Sequence, residues 1–331
     1  MRFSATFFLL ATASSPVPAD WSIDPSLIAF GDVYAIPEHH LEAADNDADL
    51  WLRRLYLTLD LTPAELPVSL RLRSETNGPD HIAEGDDFSN QLKDAYLAWD
   101  IHRHQVIFGK QSALTFQRIE SFWQFRSLEK TAPDLQGITS RIFGLGVNGP
   151  LFSDKIRYAI ATSTSATLGV DHAQQAKYQA SLDVKLTERL SLELYADGLK
   201  SEHETPSANT EQVFIRWQDD KTRIGAHYTH RDSRGGNNTP GDVELFSVFA
   251  STSATPWPLI ARVDRLLKPS ARGENIDYMP FSPESKSTLY ILGSEYRLSP
   301  EFRLLPNIEY VDYDGDITSD WYLKLTLEFS L

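Results

Sequence analysis

Along the last eleven residues, Trp321, Leu323, Leu325, Leu327, Phe329 and Leu331 alternate with Tyr322, Lys324, Thr326, Glu328 and Ser330. A period of two with one apolar and one polar row predicts a β-strand with two unlike faces. The alternation recurs at Leu55, Leu57, Leu59 and Leu61, set against Arg54, Tyr56, Thr58 and Asp60, and at Leu66, Val68, Leu70 and Leu72, set against Ser69, Arg71 and Arg73. It returns over 178–186 and 190–197, and in runs near 211–218, 221–231, 257–267, 287–298 and 301–311. Less regular stretches at 26–35, 92–101, 104–111, 140–149, 155–162 and 242–252 bring the strands to sixteen. No long segment repeats every 3.6 residues, so the fold class is all-β. Pro306, in the apolar row of the fifteenth strand, removes a ladder donor and predicts a bulge there.

The connections sort by length. Counted from the first strand, the even-numbered ones are short: 62–65, 101–103, 150–153, 187–188, 219–220, 253–256 and 299–300. The odd-numbered ones are long and polar: 36–48, 74–90, 112–139, 163–175, 199–210, 232–241, 268–286 and 312–320. Short turns at one rim and long loops at the other predict a transmembrane antiparallel β-barrel with both termini on the periplasmic side. A soluble sandwich has no reason to sort its loops in this way, and its core faces would need a facing sheet.

Composition narrows the class further. The chain has 331 residues and a net charge of −15, with no Cys. The missing thiols exclude disulfides, thiolate zinc sites and Cys nucleophiles, and the acidity argues against a nucleic-acid partner. Arg2, the apolar run Phe3–Ala13 and the small-residue end Val17-Pro18-Ala19 predict a signal peptide over 1–19. The barrel domain is then 20–331. Sixteen strands of about 10 residues, seven turns of about 3 and eight loops of about 15 consume on the order of 300 residues, which leaves none for a separate plug.

Asp94–Gln111 (DAYLAWDIHRHQVIFGKQ), the long aromatic and charged loop after it, and the Gly-rich strand Arg141–Gly149 (RIFGLGVNG) resemble the corresponding hairpin, loop and strand of Gram-negative outer-membrane porins of the general-diffusion and porin O/P type. The resemblance covers the whole mature chain in pattern and is specific over 94–149. The chain ends in Leu331 where such porins end in an aromatic residue, with Phe329 two positions earlier. The resemblance implies a homotrimer in the bacterial outer membrane, with lipid and lipopolysaccharide as surroundings, no cofactor, and passive diffusion of small hydrophilic solutes or ions.

With the apolar rows facing lipid, the opposite rows line a lumen. They carry Arg54, Arg71, Arg73, Lys177, Arg216, Arg223, Arg262, Arg303 and Lys324 among others, against Asp60, Asp94, Asp183, Glu193, Asp197, Asp264, Glu309 and Glu328. Charge on such a wall is tolerated where water fills the lumen, and the slight basic excess favours anions weakly. The resemblance implies that the 112–139 loop folds inward and narrows the channel, with Arg118, Glu120, Arg126 and Lys130 facing Arg71, Arg73 and Lys110. The alternative is a loop that caps the mouth or packs at the trimer axis. Trp51, Trp99, Trp217, Trp257 and Trp321 are candidate outward girdle residues.

Two other function classes stay open. An outer-membrane enzyme, a protease or lipase, would use loop carboxylates or histidines. His227, His230 and Ser233 do not have the two-residue spacing that aims a His and a Ser the same way from one strand. A structural barrel sheathing another protein is the third. Asp312, Asp314 and Asp316 around Gly315 form a candidate Ca²⁺ loop, although Asp-Gly is also plain turn chemistry.

Overall fold

The computed structural model describes residues 21–78, 88–138, 140–164, 175–201, 207–234, 241–253, 257–270, 273 and 278–331. The predicted signal peptide, 1–19, and residues 79–87 of the second long loop lie outside them. Seventeen strands form one closed antiparallel sheet. They are β1 (Trp21–Glu38), β2 (Asp47–Pro63), β3 (Val68–Asn77), β4 (Ser89–Ile101), β5 (His104–Ser112), β6 (Arg141–Leu151), β7 (Ser153–Thr164), β8 (Gln175–Lys185), β9 (Leu190–Ser201), β10 (Ser207–Gln218), β11 (Thr222–Arg234), β12 (Val243–Thr252), β13 (Leu259–Leu266), β14 (Ser287–Ser294), β15 (Tyr296–Arg297), β16 (Phe302–Tyr313) and β17 (Asp320–Ser330). Each pairs with its sequence neighbour, and β1 pairs with β17 to close the ring. The closure reaches the final residue, where the Leu27 and Leu331 backbones exchange hydrogen bonds of 3.0 and 2.8 Å.

Strands β14 and β15 are collinear halves of one stave, because both keep the same register against β16. The barrel therefore has sixteen staves, as the alternation predicts. Pro306 does not produce a bulge, since its pairing with β17 runs through without a shift. Instead the ladder to the neighbour on its other side breaks between β14 and β15, opposite a residue that has no N–H to give.

The inside-out distribution is plain on β17. Trp321 and Leu323 are 38% and 42% exposed on the outer wall, whereas Tyr322, Lys324, Thr326 and Glu328 are buried inward. No helix among the described residues is long and apolar enough to cross a membrane; the strands supply the crossing.

The long loop after β5 lies inside the barrel rather than over its mouth. Helix α1 (Leu114–Trp123) and the single turn α2 (Ala132–Leu135) pack against the inner faces of β7, β8, β9, β11 and β12. Helix α1 stops at Gln124, which takes a left-handed φ of 62° while its N–H returns to the Glu120 carbonyl, a common helix ending. The loop is held by apolar contact. Phe122 meets Phe214 and Phe249 edge-on or tilted at 5.8 and 6.0 Å, and Trp123 meets Phe249 at 5.2 Å. Gly225 makes room for this cluster, because a Cβ there would fall 2.4 Å from the Phe249 ring.

The expectation of a charged, water-lined wall all round is thus corrected over β10–β14 and β16. There Phe214, Leu245, Phe249, Ile260, Leu289, Ile291 and Leu305 point inward and, with the loop, build a hydrophobic core inside the barrel. The cavities that remain inside the barrel are lined by β1–β7, β16, β17 and the inner loops.

Candidate channel constriction

Two β-bulges on the opposite wall shape the site. Between β1 and β2 the register jumps from Phe30↔Arg54 to Gly31↔Leu52, leaving Arg53 as the extra residue. Between β3 and β4 it jumps from Arg73↔Asp94 to Ser74↔Leu92, leaving Lys93. A bulge inserts one residue and reverses the side-chain parity beyond it. Adjacent charged pairs, Arg53–Arg54 and Lys93–Asp94, therefore both turn inward, and all four side chains are buried or nearly so. The same reversal carries Trp51 from the predicted outer girdle to the inside, where its ring lies 5.1 Å from that of Tyr278.

The acids of this wall sit behind its cations. Glu75, 1% exposed, receives Lys93 at 2.9 Å and Arg54 at 3.5 Å. Asp94, 3% exposed, receives Arg141 at 2.7 Å and Arg73 at 3.5 Å. Across the opening, Arg126 of the loop bonds Glu120 at 3.1 Å and also Asp134, while Arg303 holds Glu328 and reaches Glu295 at 3.5 Å. A cavity of about 220 Å³ runs between them, lined by Arg73, Lys93, Arg126, Arg141 and Arg303 against only Glu120 and Glu328.

A second network ties the loop to the β1–β2 and β16–β17 walls. The Arg53 guanidinium donates to the Ser127 and Leu128 carbonyls and bonds Asp32 at 2.7 Å. Lys324 bonds Glu309 at 2.6 Å, and Tyr278 donates to Glu129 at 2.6 Å. Burial alone would raise the Glu129 pKa, but Lys324 and Arg53 hold it below its usual value. Lys130 is pushed down to about 8, by burial first and by the positive charge of Arg54 next.

The residues assigned to the constriction from sequence separate accordingly. Arg73, Glu120 and Arg126 meet around the 220 Å³ cavity. Lys130 lies in a neighbouring recess beside Arg53 and Arg54. Arg71 makes a two-point bond with Asp60, at 2.7 Å for both contacts, and lines a separate cavity of about 240 Å³ with Tyr96, Gln111 and Gln117. Arg118 turns to the other wall, 4.0 Å from Asp183. Lys110 does not join them. It shares the outer row with Phe108, its ammonium bonded to the Leu92 carbonyl, because its neighbours Gly109 and Gln111 take the inner row. Sequence reasoning missed Arg53, Lys93, Glu75 and Arg141, and the bulges are the signal it lacked for the first two.

Asp312, Asp314 and Asp316 do not converge; Asp314 is instead held by Arg265 at 2.7 Å. The cluster that does converge among the described residues is His39, His40 and Asp320 at the loop rim. There His40 bonds Asp320 at 2.9 Å, His39 bonds Tyr322 at 2.8 Å, and the His39 Nδ1 accepts the Leu41 N–H at 2.9 Å. An Nδ1 that accepts leaves the proton on Nε2, so this is a hydrogen-bonded rim clasp rather than a ligand set. His227 is buried against Phe214 and Thr229, and His230 is on the other face of β11.

A sixteen-stave closed barrel with short turns at one rim, long loops at the other and its third loop folded inside has the outer-membrane porin fold. Among solved structures it is similar to the anion-selective porin from Comamonas acidovorans, with a TM-score of 0.64 and 12% identity over 94% of this chain and 100% of that one. It is similar also to the outer membrane channel DcaP of Acinetobacter baumannii, at 0.65 and 13% over 95% and 98%. The trimer form of OmpT, an outer membrane protein of Vibrio cholerae, matches at 0.60 and 12% over 94% and 100%. At these identities the likeness is one of fold. No protein-family model and no curated protein matches the sequence.

Proposed function

We propose that this chain is an outer-membrane porin, a passive channel for small hydrophilic solutes or ions with a weak preference for anions. The observation that carries it is the charge layering at the constriction. Glu75 and Asp94 are buried behind the guanidinium and ammonium groups that neutralise them, so a solute in the 220 Å³ cavity meets mostly cations. Summed charge there is close to balanced, which is why the preference is weak; the asymmetry lies in what is within reach. The porin fold, and structural neighbours described as an anion-selective porin and an outer membrane channel, support the same conclusion. A homotrimer in the bacterial outer membrane is part of the proposal, by analogy with the trimeric neighbour, with lipid and lipopolysaccharide as its surroundings.

The test is single-channel recording of the refolded protein in a planar bilayer under a salt gradient. Ohmic openings with a reversal potential on the anion side are expected. Replacing Arg71 and Arg73 together by Gln, which leaves Asp60 and Asp94 less compensated, should move that potential towards cations. A silent, fully folded barrel would overturn the channel and bring the enzyme and sheath alternatives forward.

A further inference from the structure

The inward row of β3 places Arg71 and Arg73 in two different cavities. Helix α1 divides in the same way. Glu120 and Gln124 face the 220 Å³ constriction, whereas Gln117, a turn earlier, faces the 240 Å³ chamber. The two spaces therefore follow one another along the loop. The chamber is the one nearer the short turns, since Asn148 of its wall comes just before the β6–β7 turn and Arg71 just after the β2–β3 turn.

The chamber differs from the constriction in its chemistry. The one charged residue of its lining, Arg71, is neutralised by the two-point bond to Asp60. Its other polar side chains are uncharged and come from four elements: Tyr96 of β4, Gln111 and Ser112 of β5, Gln117 of α1 and Asn148 of β6. Among the described residues, Tyr96, Gln117 and Asn148 make no side-chain hydrogen bond. Gln111 is 4% exposed, yet it donates only at 3.4 and 3.5 Å, to the Ile107 and Gly144 carbonyls, and its own Oε1 accepts from no described residue. Those lengths are at the limit of a hydrogen bond. Gly146 fixes where this amide points, because a Cβ there would stand 3.0 Å from the Gln111 Oε1. A carboxamide so closely packed and so poorly bonded calls for a partner from the chamber side.

These groups select against charge and in favour of hydroxyls. An ion entering the chamber gives up water and meets no uncompensated charge in return. A hydroxyl both donates and accepts, as a carboxamide and a phenol do, so a polyhydroxylated solute can replace the water on all of them. The rest of the lining includes an apolar patch of Ile107, Leu114 and Ala159, which suits the C–H face of a sugar ring. At roughly 10–15 Å³ of such space per water, the chamber holds about twenty waters. That admits one hexose with water to spare.

We propose that the chamber is a binding site for a neutral sugar of hexose size, a second solute class for the channel proposed above, on which the transport role of the site rests. The sugar is held by Gln111, Gln117 and Asn148, with its ring against the apolar patch. The constriction then sorts solutes by charge, and the chamber after it sorts them by hydrogen-bonding pattern.

The probe is glucose, with tetraethylene glycol as a neutral solute of similar mass whose inner ether oxygens accept but do not donate. On the refolded full-length barrel carrying a chloride current, glucose is expected to interrupt the current at concentrations about tenfold below those of tetraethylene glycol. Asn148→Ala and Gln111→Leu should each weaken the glucose block about fivefold, on the scale of one neutral hydrogen bond. Chloride conductance and selectivity should not change in either, because no charge is altered. Asp154→Asn, in the exposed pair with Arg103, should leave the block as it is. Equal potency of the two solutes, or a block no weaker in Asn148→Ala than in Asp154→Asn, would overturn the site. If no chloride current is seen, the proposed channel fails, and saturation-transfer NMR of glucose on the same folded protein decides the chamber by itself. Transfer reduced by Asn148→Ala then sustains the chamber, and absent or undiminished transfer rejects it.

Discussion

Glu75 is the residue on which the charge layering can be tested most sharply. It is almost wholly buried, accepts Gln91 Nε2 at 2.7 Å, and neutralises Lys93 and Arg54 at 2.9 and 3.5 Å. Glu75→Gln keeps the volume and the acceptor for Gln91 but removes one negative charge behind two cations. Lys93 lines the 220 Å³ cavity, so a passing ion comes within contact distance of the uncovered charge. A unit charge at about 4 Å in water is worth about 1 kcal/mol, a factor of about five in local concentration, favourable for an anion and unfavourable for a cation. At about 0.1 M salt the screening length is near 10 Å, longer than that distance, so most of the effect survives. The anion-to-cation permeability ratio should rise about fivefold or more. The assay is the reversal potential across a tenfold chloride gradient. Asp154→Asn serves as the control, in the exposed pair with Arg103 next to a short turn. A shift towards cations, or none beyond the control, would refute the claim that buried acids mask the cations of this wall.

Trp123→Ala removes a ring that contacts Phe125 and Phe249 and an indole N–H bonded to the Glu129 carbonyl at 2.8 Å. Such truncations cost about 3–5 kcal/mol, and here the cost falls on the docking of the loop rather than on the barrel; conductance should rise and residues 112–139 should become cleavable by protease, whereas an unchanged channel would mean the loop is held elsewhere. Lys130 lies beside Arg53 and Arg54, and its pKa near 8, set by burial and Arg54 and Arg126 against Asp134 and Glu129, places the loss of its charge above neutrality. The anion preference, read from the reversal potential, should therefore be constant below about pH 7 and weaken above pH 8. At the rim, burial holds the His39 pKa below its usual 6.5, so the folded loop resists its protonation: the cost is absent above pH 6.5 and grows as pH falls below it. Acid should expose the 39–46 loop to proteolysis, and His39→Gln should remove that pH dependence.

Most of the barrel can be read from the chain because a lipid-facing wall enforces period two, and the sorted loop lengths give the strand order. Leu323 and Lys324 go to opposite faces for the same reason that each stands next to the other. The constriction is another matter, since it depends on where the period fails. Reading outward from Leu55–Leu61 puts Arg54 inside and Arg53 outside; the jump between Phe30 and Gly31 puts both inside and draws Trp51 with them. Lys93 beside Asp94 follows from the matching jump on β4. Neither jump has a local signature, because a bulge is a mismatch between two strands and only one of them is in view at a time. The partners distant in sequence are harder still: Arg141 meets Asp94 across 47 positions, and Tyr278 meets Glu129 across 149. The loop itself gave a better signal. Phe122, Trp123 and Phe125 are costly in water and therefore indicate that 112–139 packs somewhere. Their counterparts, Phe214 and Phe249, sit in the inward rows of β10 and β12, where an aromatic side chain directed at a lumen implies something apolar to meet it. Exceptions to alternation on the inner face thus locate the docked loop, and exceptions to register locate the charges it confronts.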